Sequence, residues 1–276
     1  MEWTTLASLA ARAGKQSYDQ RHTIQQYFTK AKAYLDLGQT QIVVTGASGA
    51  GKSVLVAQMH GRARDLYYEA PPQSTKVEVE AIALEPWSKL VRVLPGQGAR
   101  RTDEEIDSLD ENDQLEGVIH VVDFGYVAPR DTLAARSLLE RNGLDTVAKL
   151  RAFNLESEVK ALDALLFAVN RALTRHKRPK WLLVAVNKVD LYWNEQDQAL
   201  AAYHPTGASD FGRALAGFEN RVGSQNFGIH VAPSCAYEVD FTWNGHVVPS
   251  SLPRQRQNSI LRELTGVVAR LSEIYA

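Results

Sequence analysis

Residues 41 to 53 read Gln-Ile-Val-Val-Thr-Gly-Ala-Ser-Gly-Ala-Gly-Lys-Ser, and no other stretch so narrows what the chain can fold into. The β-formers Ile42 to Val44 run into Gly46, small residues follow, and Gly51-Lys52-Ser53 opens a helical pattern that reaches Met59. Strand, glycine-rich turn and helix in that order make a phosphate loop. Gly46, Ala47, Ser48, Gly49, Ala50 and Gly51 give backbone that can bend around an anion, with the N–H groups of the next helix start pointing at it. Lys52 is placed to reach β/γ-phosphate oxygens, and the Ser53 hydroxyl to ligate Mg²⁺. Glycine-rich turns before helices are common on their own. The full pattern G-x-x-x-x-G-K-[ST], however, should arise by chance in only about one chain of this length in a hundred at average residue frequencies. Nucleotide binding is therefore the reading the stretch supports.

The rest of the composition sets bounds. A chain of 276 residues, 45% hydrophobic and 23% charged, can build one large α/β domain or two small ones. A net charge of −1 and a pI near 6.7 give no overall field for nucleic acid or an acidic membrane, so any such contact must be local. Cys235 is the only cysteine, which excludes an intrachain disulfide and a thiolate metal cluster, and a cytoplasmic location fits. The longest apolar runs, 117–128 and 181–186, are too short to span a membrane and read as buried strands. Neither a signal core at the start nor a prenylation box at the end is expected from the sequence.

Taken in order, residues 5–38 read as helix, with Ile24, Tyr27, Phe28, Ala31, Tyr34 and Leu35 at helical spacing, giving a helical extension over 1–39. The stretch 60–74 is polar and reads as a loop, with His60 a solvated residue just past the helix. Lys76 to Leu84 and Leu90 to Leu94 read as an antiparallel hairpin turning at Pro86 and Trp87-Ser88. A buried strand at 117–123 precedes a mostly helical segment, 130–175, with Leu155, Val159, Leu162, Leu165, Leu166 and Val169 as its apolar stripe. The basic residues from Arg171 to Lys180 suit a solvated helix carboxyl end. Strands at 181–186 and 228–232, a helix around Phe211 to Val222, a small hairpin at Asn244-Gly245 and a last helix over 256–275 complete the chain. Strands alternating with helices imply an α/β fold with a mostly parallel sheet covered on both faces, and a ligand at the carboxyl ends of the strands.

The strand at 181–186 delivers Asn187-Lys188-Val189-Asp190. Together with the phosphate loop, this quartet resembles the N-K-x-D motif of the Ras-like, translation-factor-related P-loop GTPases. A carboxylate there can accept from both N1–H and the 2-amino group of guanine, a pattern adenine cannot offer. The resemblance implies that Asp190 reads the base, Asn187 ties its loop to the phosphate loop, and the Lys188 stem lies over the ring. Pro233-Ser234-Cys235-Ala236 is similar to the family's S-A-K region, where backbone N–H groups face guanine O6, with Cys235 at the serine position and Tyr237 where lysine is usual. Cys235 then reads as a small buried residue rather than a nucleophile. The resemblance covers residues 40–276 as one G domain with a helical insertion around 130–178. It implies GTP or GDP with Mg²⁺ as ligands, and a protein partner engaged through the switch segments.

Departures fall in those segments. Thr75, or Ser74 next to it, is the candidate for the first-switch threonine that answers Mg²⁺ and the γ-phosphate. The second switch, usually D-x-x-G-Q, reads Val93-Leu94-Pro95-Gly96-Gln97. Gly96 and Gln97 are kept, and Gln97 with Thr75 would serve catalysis, but valine replaces the acid that orients Mg²⁺ through water. Asp123 is expected to cap the turn after its strand, and Arg100 and Arg101 to be a solvated pair. The implied activity is a molecular switch with slow or partner-stimulated GTP hydrolysis, ordering 62–75 and 95–114 around the γ-phosphate. The alternative is a pseudo-GTPase serving as a scaffold.

Overall fold

The computed structural model describes residues 41–59, 78–84, 87–94, 112–129, 131–253 and 255–275. The expected helical extension, His60, Ser74, Thr75, Gly96, Gln97, Arg100 and Arg101 lie outside them, as do all of 62–75 and most of 95–114. Strand β1 (Ile42–Gly46) leads through the phosphate loop into α1 (Lys52–Met59). Then come β2 (Glu78–Leu84), β3 (Trp87–Val93), β4 (Gly117–Val122), α2 (Thr132–Glu140) and the long α3 (Val147–His176). Strand β5 (Trp181–Val186), α4 (Gln196–Tyr203), α5 (Asp210–Val222) and β6 (Gly228–Pro233) follow. A short hairpin, β7 (Phe241–Trp243) and β8 (His246–Val248), precedes α6 (Arg256–Ile274).

The main sheet runs β2-β3-β1-β4-β5-β6. All neighbours are parallel except β2, which lies antiparallel on the edge beside β3. Trp87 and Ser88 pair with Leu84 and Ala83, so the two residues expected in the hairpin turn belong to the strand. A parallel strand buried on both faces reads as a near-continuous apolar run, as β5 does; β1 and β4 each bury one polar residue, Thr45 and His120, which hydrogen-bond each other at 2.7 Å. Alternate residues feed two cores. Leu182, Val184 and Val186 join Leu162, Leu165, Val169, Phe211 and Phe218 on the α3 and α5 side, while Trp181, Leu183 and Ala185 join Leu55, Val56, Leu264 and Val268 on the α1 and α6 side.

The helical segment after β4 divides, because Thr146 starts a new helix by accepting from the Lys149 amide at 3.3 Å, as Asp131 starts α2 by accepting from Leu133 and Ala134. Of the expected α3 stripe, Leu162, Leu165, Leu166 and Val169 are buried and Leu155 and Val159 pack half-buried against the same core, while the amino-terminal half also turns Leu150, Asn154 and Glu158 inward. None of the described helices is long and apolar enough to cross a membrane.

The chain order reverses across β1, with β3 on one side and β4 on the other, so a crevice opens at the carboxyl ends of the central strands. Four loops meet there: those after β1, β4, β5 and β6.

One packing contact fixes the opposite end of the sheet. Trp181 lies over Gly117, where a Cβ would stand 2.0 Å from the indole. Gly117→Ala should lower the unfolding free energy by about 1–3 kcal/mol in urea titrations. Unchanged stability would mean that the indole does not hold this position.

Candidate nucleotide site

The phosphate loop is shaped by a side chain from another strand. At Gly51, with φ +94°, a Cβ would stand 2.5 Å from Asn187 Nδ2, so only glycine fits. That same Nδ2 donates to the Ala50 carbonyl at 2.7 Å. Lys52, buried at the start of α1, folds back and donates to the carbonyls of Gly46 at 2.9 Å and Ala47 at 3.0 Å. Its ammonium therefore sits within the loop, where a bound anion could replace these two carbonyls as acceptors. Ser53 follows on the first turn of α1 and is half-buried. The N–H groups at this helix start precede the helical ladder, whose first bond here is Leu55 N–H to Gly51 carbonyl at 2.8 Å. These residues fit a phosphate chain with a bound Mg²⁺, with Ser53 the described residue that would ligate the metal.

Asn187 directly follows β5 and is 1% exposed. Its Oδ1 accepts from the Ser234 hydroxyl at 3.1 Å and the Ala236 amide at 2.9 Å. The side chain thus joins the loop after β1 to the loop after β6. Lys188 adopts φ +60° and donates from Nζ to Asp123 Oδ2 at 2.8 Å and to the Tyr126 carbonyl. Asp123 therefore does not cap its turn with its carboxylate. The backbone closes that turn, Tyr126 N–H donating to the Asp123 carbonyl at 3.1 Å, and the carboxylate is left to pair with Lys188.

Asp190 is also 1% exposed. Its Oδ1 accepts from the Cys235 thiol at 3.4 Å and its Oδ2 from the Val239 amide at 3.4 Å, while its own carbonyl accepts from Ser251 N–H at 2.9 Å. Burial raises its carboxyl above the ordinary aspartate value, against the lowering effect of these donors. Cys235 is fully buried, and burial followed by the neighbouring Asp190 charge pushes its thiol up, which leaves it a hydrogen-bond donor to that carboxylate. Val239 and Ser251, on either side of the β7–β8 hairpin, thus bond Asp190, and the hairpin itself is anchored by Trp243 Nε1 donating to the Leu144 carbonyl at 2.6 Å.

Val93 closes β3 beside Val44 and is 1% exposed, part of the apolar cluster that includes Ala50, Leu55 and Val56. The position where the resemblance places an acid is filled by a packed hydrophobic side chain.

The structure brings together Gly46 to Ser53, Asn187, Lys188, Asp190, Cys235 and Ala236, from loops far apart in the chain. Sequence reading missed the residues behind them: Arg151, Asn154 and Glu158 on α3. Their spacing of three and four residues along one helix face was the available signal, hidden by the apolar residues that interleave with it.

The glycine-rich loop after β1 and the N-K-x-D-like loop after β5 stand at the carboxyl edge of a mostly parallel α/β sheet, the arrangement of a P-loop G-domain fold. No protein-family model matches the chain, and no curated protein matches it. Among solved structures it is similar to the mammalian SRP receptor, with 13% identity over 84% of this chain and 99% of that one and a TM-score of 0.47. It is also similar to the bacterial selenocysteine-specific elongation factor EF-Sec, with 11% identity over 86% of this chain and a TM-score of 0.42, and it spans 29% of that longer chain.

Glu158 gives the site a pH signature. Burial, with the Asp123 carboxylate beside it, pushes Glu158 from 4.5 up to about 8. An acid raised on folding takes up a proton as the chain folds, so its contribution is fully present below the ordinary value and is lost as pH rises through the folded one. Stability should therefore fall between about pH 5 and pH 8, and Glu158→Gln should flatten that slope in urea midpoints taken across the range. An equal slope in the variant would place the titration elsewhere.

Proposed function

We propose that the protein binds guanine nucleotides across the four loops and works as a nucleotide-dependent switch toward a protein partner. The observation that carries this reading is the Asn187 side chain, which links the Ala50 carbonyl to Ser234 and the Ala236 amide and so fixes a phosphate end and a base end at a set separation. Lys52 would exchange its loop carbonyls for phosphate oxygens. Asp190 would accept from the base edge, with the Cys235 thiol orienting it. When bound, Mg²⁺ would neutralise phosphate charge next to Ser53. Thr75 and Gln97 are proposed for the γ-phosphate side by resemblance alone, as is a cytoplasmic setting from the single cysteine.

Val93 favours a second reading for the chemistry. A buried valine offers no acceptor to a metal-bound water, so hydrolysis should be slow without a partner, and a non-hydrolysing scaffold is the limiting case. Single-turnover GTP hydrolysis with and without Mg²⁺ separates the two: metal-dependent turnover supports the switch, and none supports the scaffold.

Calorimetric titration with GTP, GDP and ATP tests binding itself. GTP or GDP should bind and ATP should bind at least about a hundredfold more weakly, as expected when a site loses paired polar contacts to the base. Lys52→Ala should abolish measurable affinity, and Asp190→Ala should weaken guanine nucleotides while largely removing the preference over ATP. Equal affinity for GTP and ATP in the native protein, or GTP affinity unchanged in Asp190→Ala, would overturn the assignment.

A further inference from the structure

The loop after β4, Asp123 to Val127, contributes no residue that the sequence assigns to nucleotide, yet it touches both ends of the site. Asp123 and the Tyr126 carbonyl hold the Lys188 ammonium. The Tyr126 ring stacks on Tyr192 at 5.7 Å, and the Tyr192 hydroxyl donates to the Asn187 carbonyl. Val127 packs on the phosphate loop so closely that a Cβ at Gly49 would stand 2.7 Å from its methyl group. The loop is conformationally costly at Phe124, whose φ of +54° is rare for a bulky residue, while Gly125 takes its φ of +80° without a Cβ to oppose it. Something must hold it.

Three side chains on one face of α3 do so. Arg151 Nε donates to the Phe124 carbonyl at 3.3 Å, and its guanidinium lies 4.7 Å from the Phe124 ring centre and 4.4 Å from that of Tyr126. Asn154 Nδ2 donates to the carbonyls of Gly125 at 2.8 Å and Val127 at 2.7 Å. Glu158 Oε1 accepts from the amides of Asp123 and Gly125, both at 3.2 Å, while Tyr203 O–H donates to its other oxygen. Burying Asn154 and Glu158 costs desolvation that apolar residues would avoid, so these side chains do more than fill space. Together they pair two amides and three carbonyls of a strained turn.

We infer that Arg151, Asn154 and Glu158 are a positioning clamp, which sets how long guanine nucleotide stays bound by fixing the Asp123–Val127 loop, and through it Lys188 and the phosphate loop. None of the three touches the proposed ligand site; they act through the loop. The inference rests on the guanine-nucleotide reading above. It predicts an effect on release rather than capture, because a loosened loop lets the closed site open more often while leaving the encounter unchanged.

The test is dissociation of a fluorescent GDP analogue chased with excess GDP, in the full chain. Asn154→Asp keeps size but cannot donate to the two carbonyls, and Glu158→Ala removes the acceptor. Each should speed release by about tenfold or more, the scale of one or two lost hydrogen bonds in a buried network, with the association rate within about threefold of the native protein. Glu158→Gln keeps Oε1 as an acceptor for both amides and should restore near-native release. Arg151→Ala, at a partly buried position, serves if the fully buried variants do not fold, and should also speed release. Absence of any guanine-nucleotide binding by the native protein would overturn the reading above and this inference with it. Native binding with unaltered release in the folded variants, or a Glu158→Gln as fast as Glu158→Ala, would overturn the clamp alone.

Discussion

The buried amide of Asn187 is the constraint on which the site depends. One nitrogen holds the phosphate loop at Ala50, and one oxygen gathers Ser234 and Ala236 from the other side of β5. Both ends of a fully buried amide must be satisfied, since each orphaned group would cost about 1–3 kcal/mol. Its partners therefore cannot drift independently. Gly51 follows from this geometry, because the amide occupies the space where any Cβ would go. The β5 strand that delivers Asn187 is apolar at every residue and lies between β4 and β6, so the amide is mounted on a rigid part of the molecule.

Behind this amide lies a second layer with the opposite economy. Lys188, Asp123 and Glu158 bring three ionisable groups into a space shared with Tyr192 and Tyr203. Burial raises both tyrosines well above their ordinary value, so their hydroxyls stay neutral and act as donors to Asn187 and Glu158. Such a network is stabilising only when every member is paired, and a half-satisfied one is worse than an apolar core. Its place directly under the Lys188 and Asn187 loop ties that demand to the geometry of the site.

Much of this was legible in the chain. The phosphate loop, the N-K-x-D quartet and the apolar runs of β4 and β5 carry local signals, since each needs particular residue types at fixed spacing. Trp87 and Ser88 were misplaced in a turn because a short hairpin leaves few residues between its strands and Pro86 drew the boundary too wide. Asp123 was assigned to turn capping because an acid after a strand usually serves the nearest amides. Here Glu158, 35 residues away, takes the amides, and Lys188 takes the acid. The α3 clamp carries only a helix-face spacing as its signal, and Asn154 and Glu158 look like solvent-facing helix residues until the loop they cover is known. Val93 was visible as a departure, but only the structure shows that it is packed into a core.

Nucleotide bound as proposed has its phosphates at the phosphate loop and its base edge at Asp190. A crystal structure of the protein with a non-hydrolysable GTP analogue tests it most directly. Density should run from the Lys52 ammonium to the Asp190 carboxylate, with the base edge within hydrogen-bonding distance of the latter. Density at the phosphate loop with the base turned away from Asp190, or none at either end at saturating analogue, would contradict it.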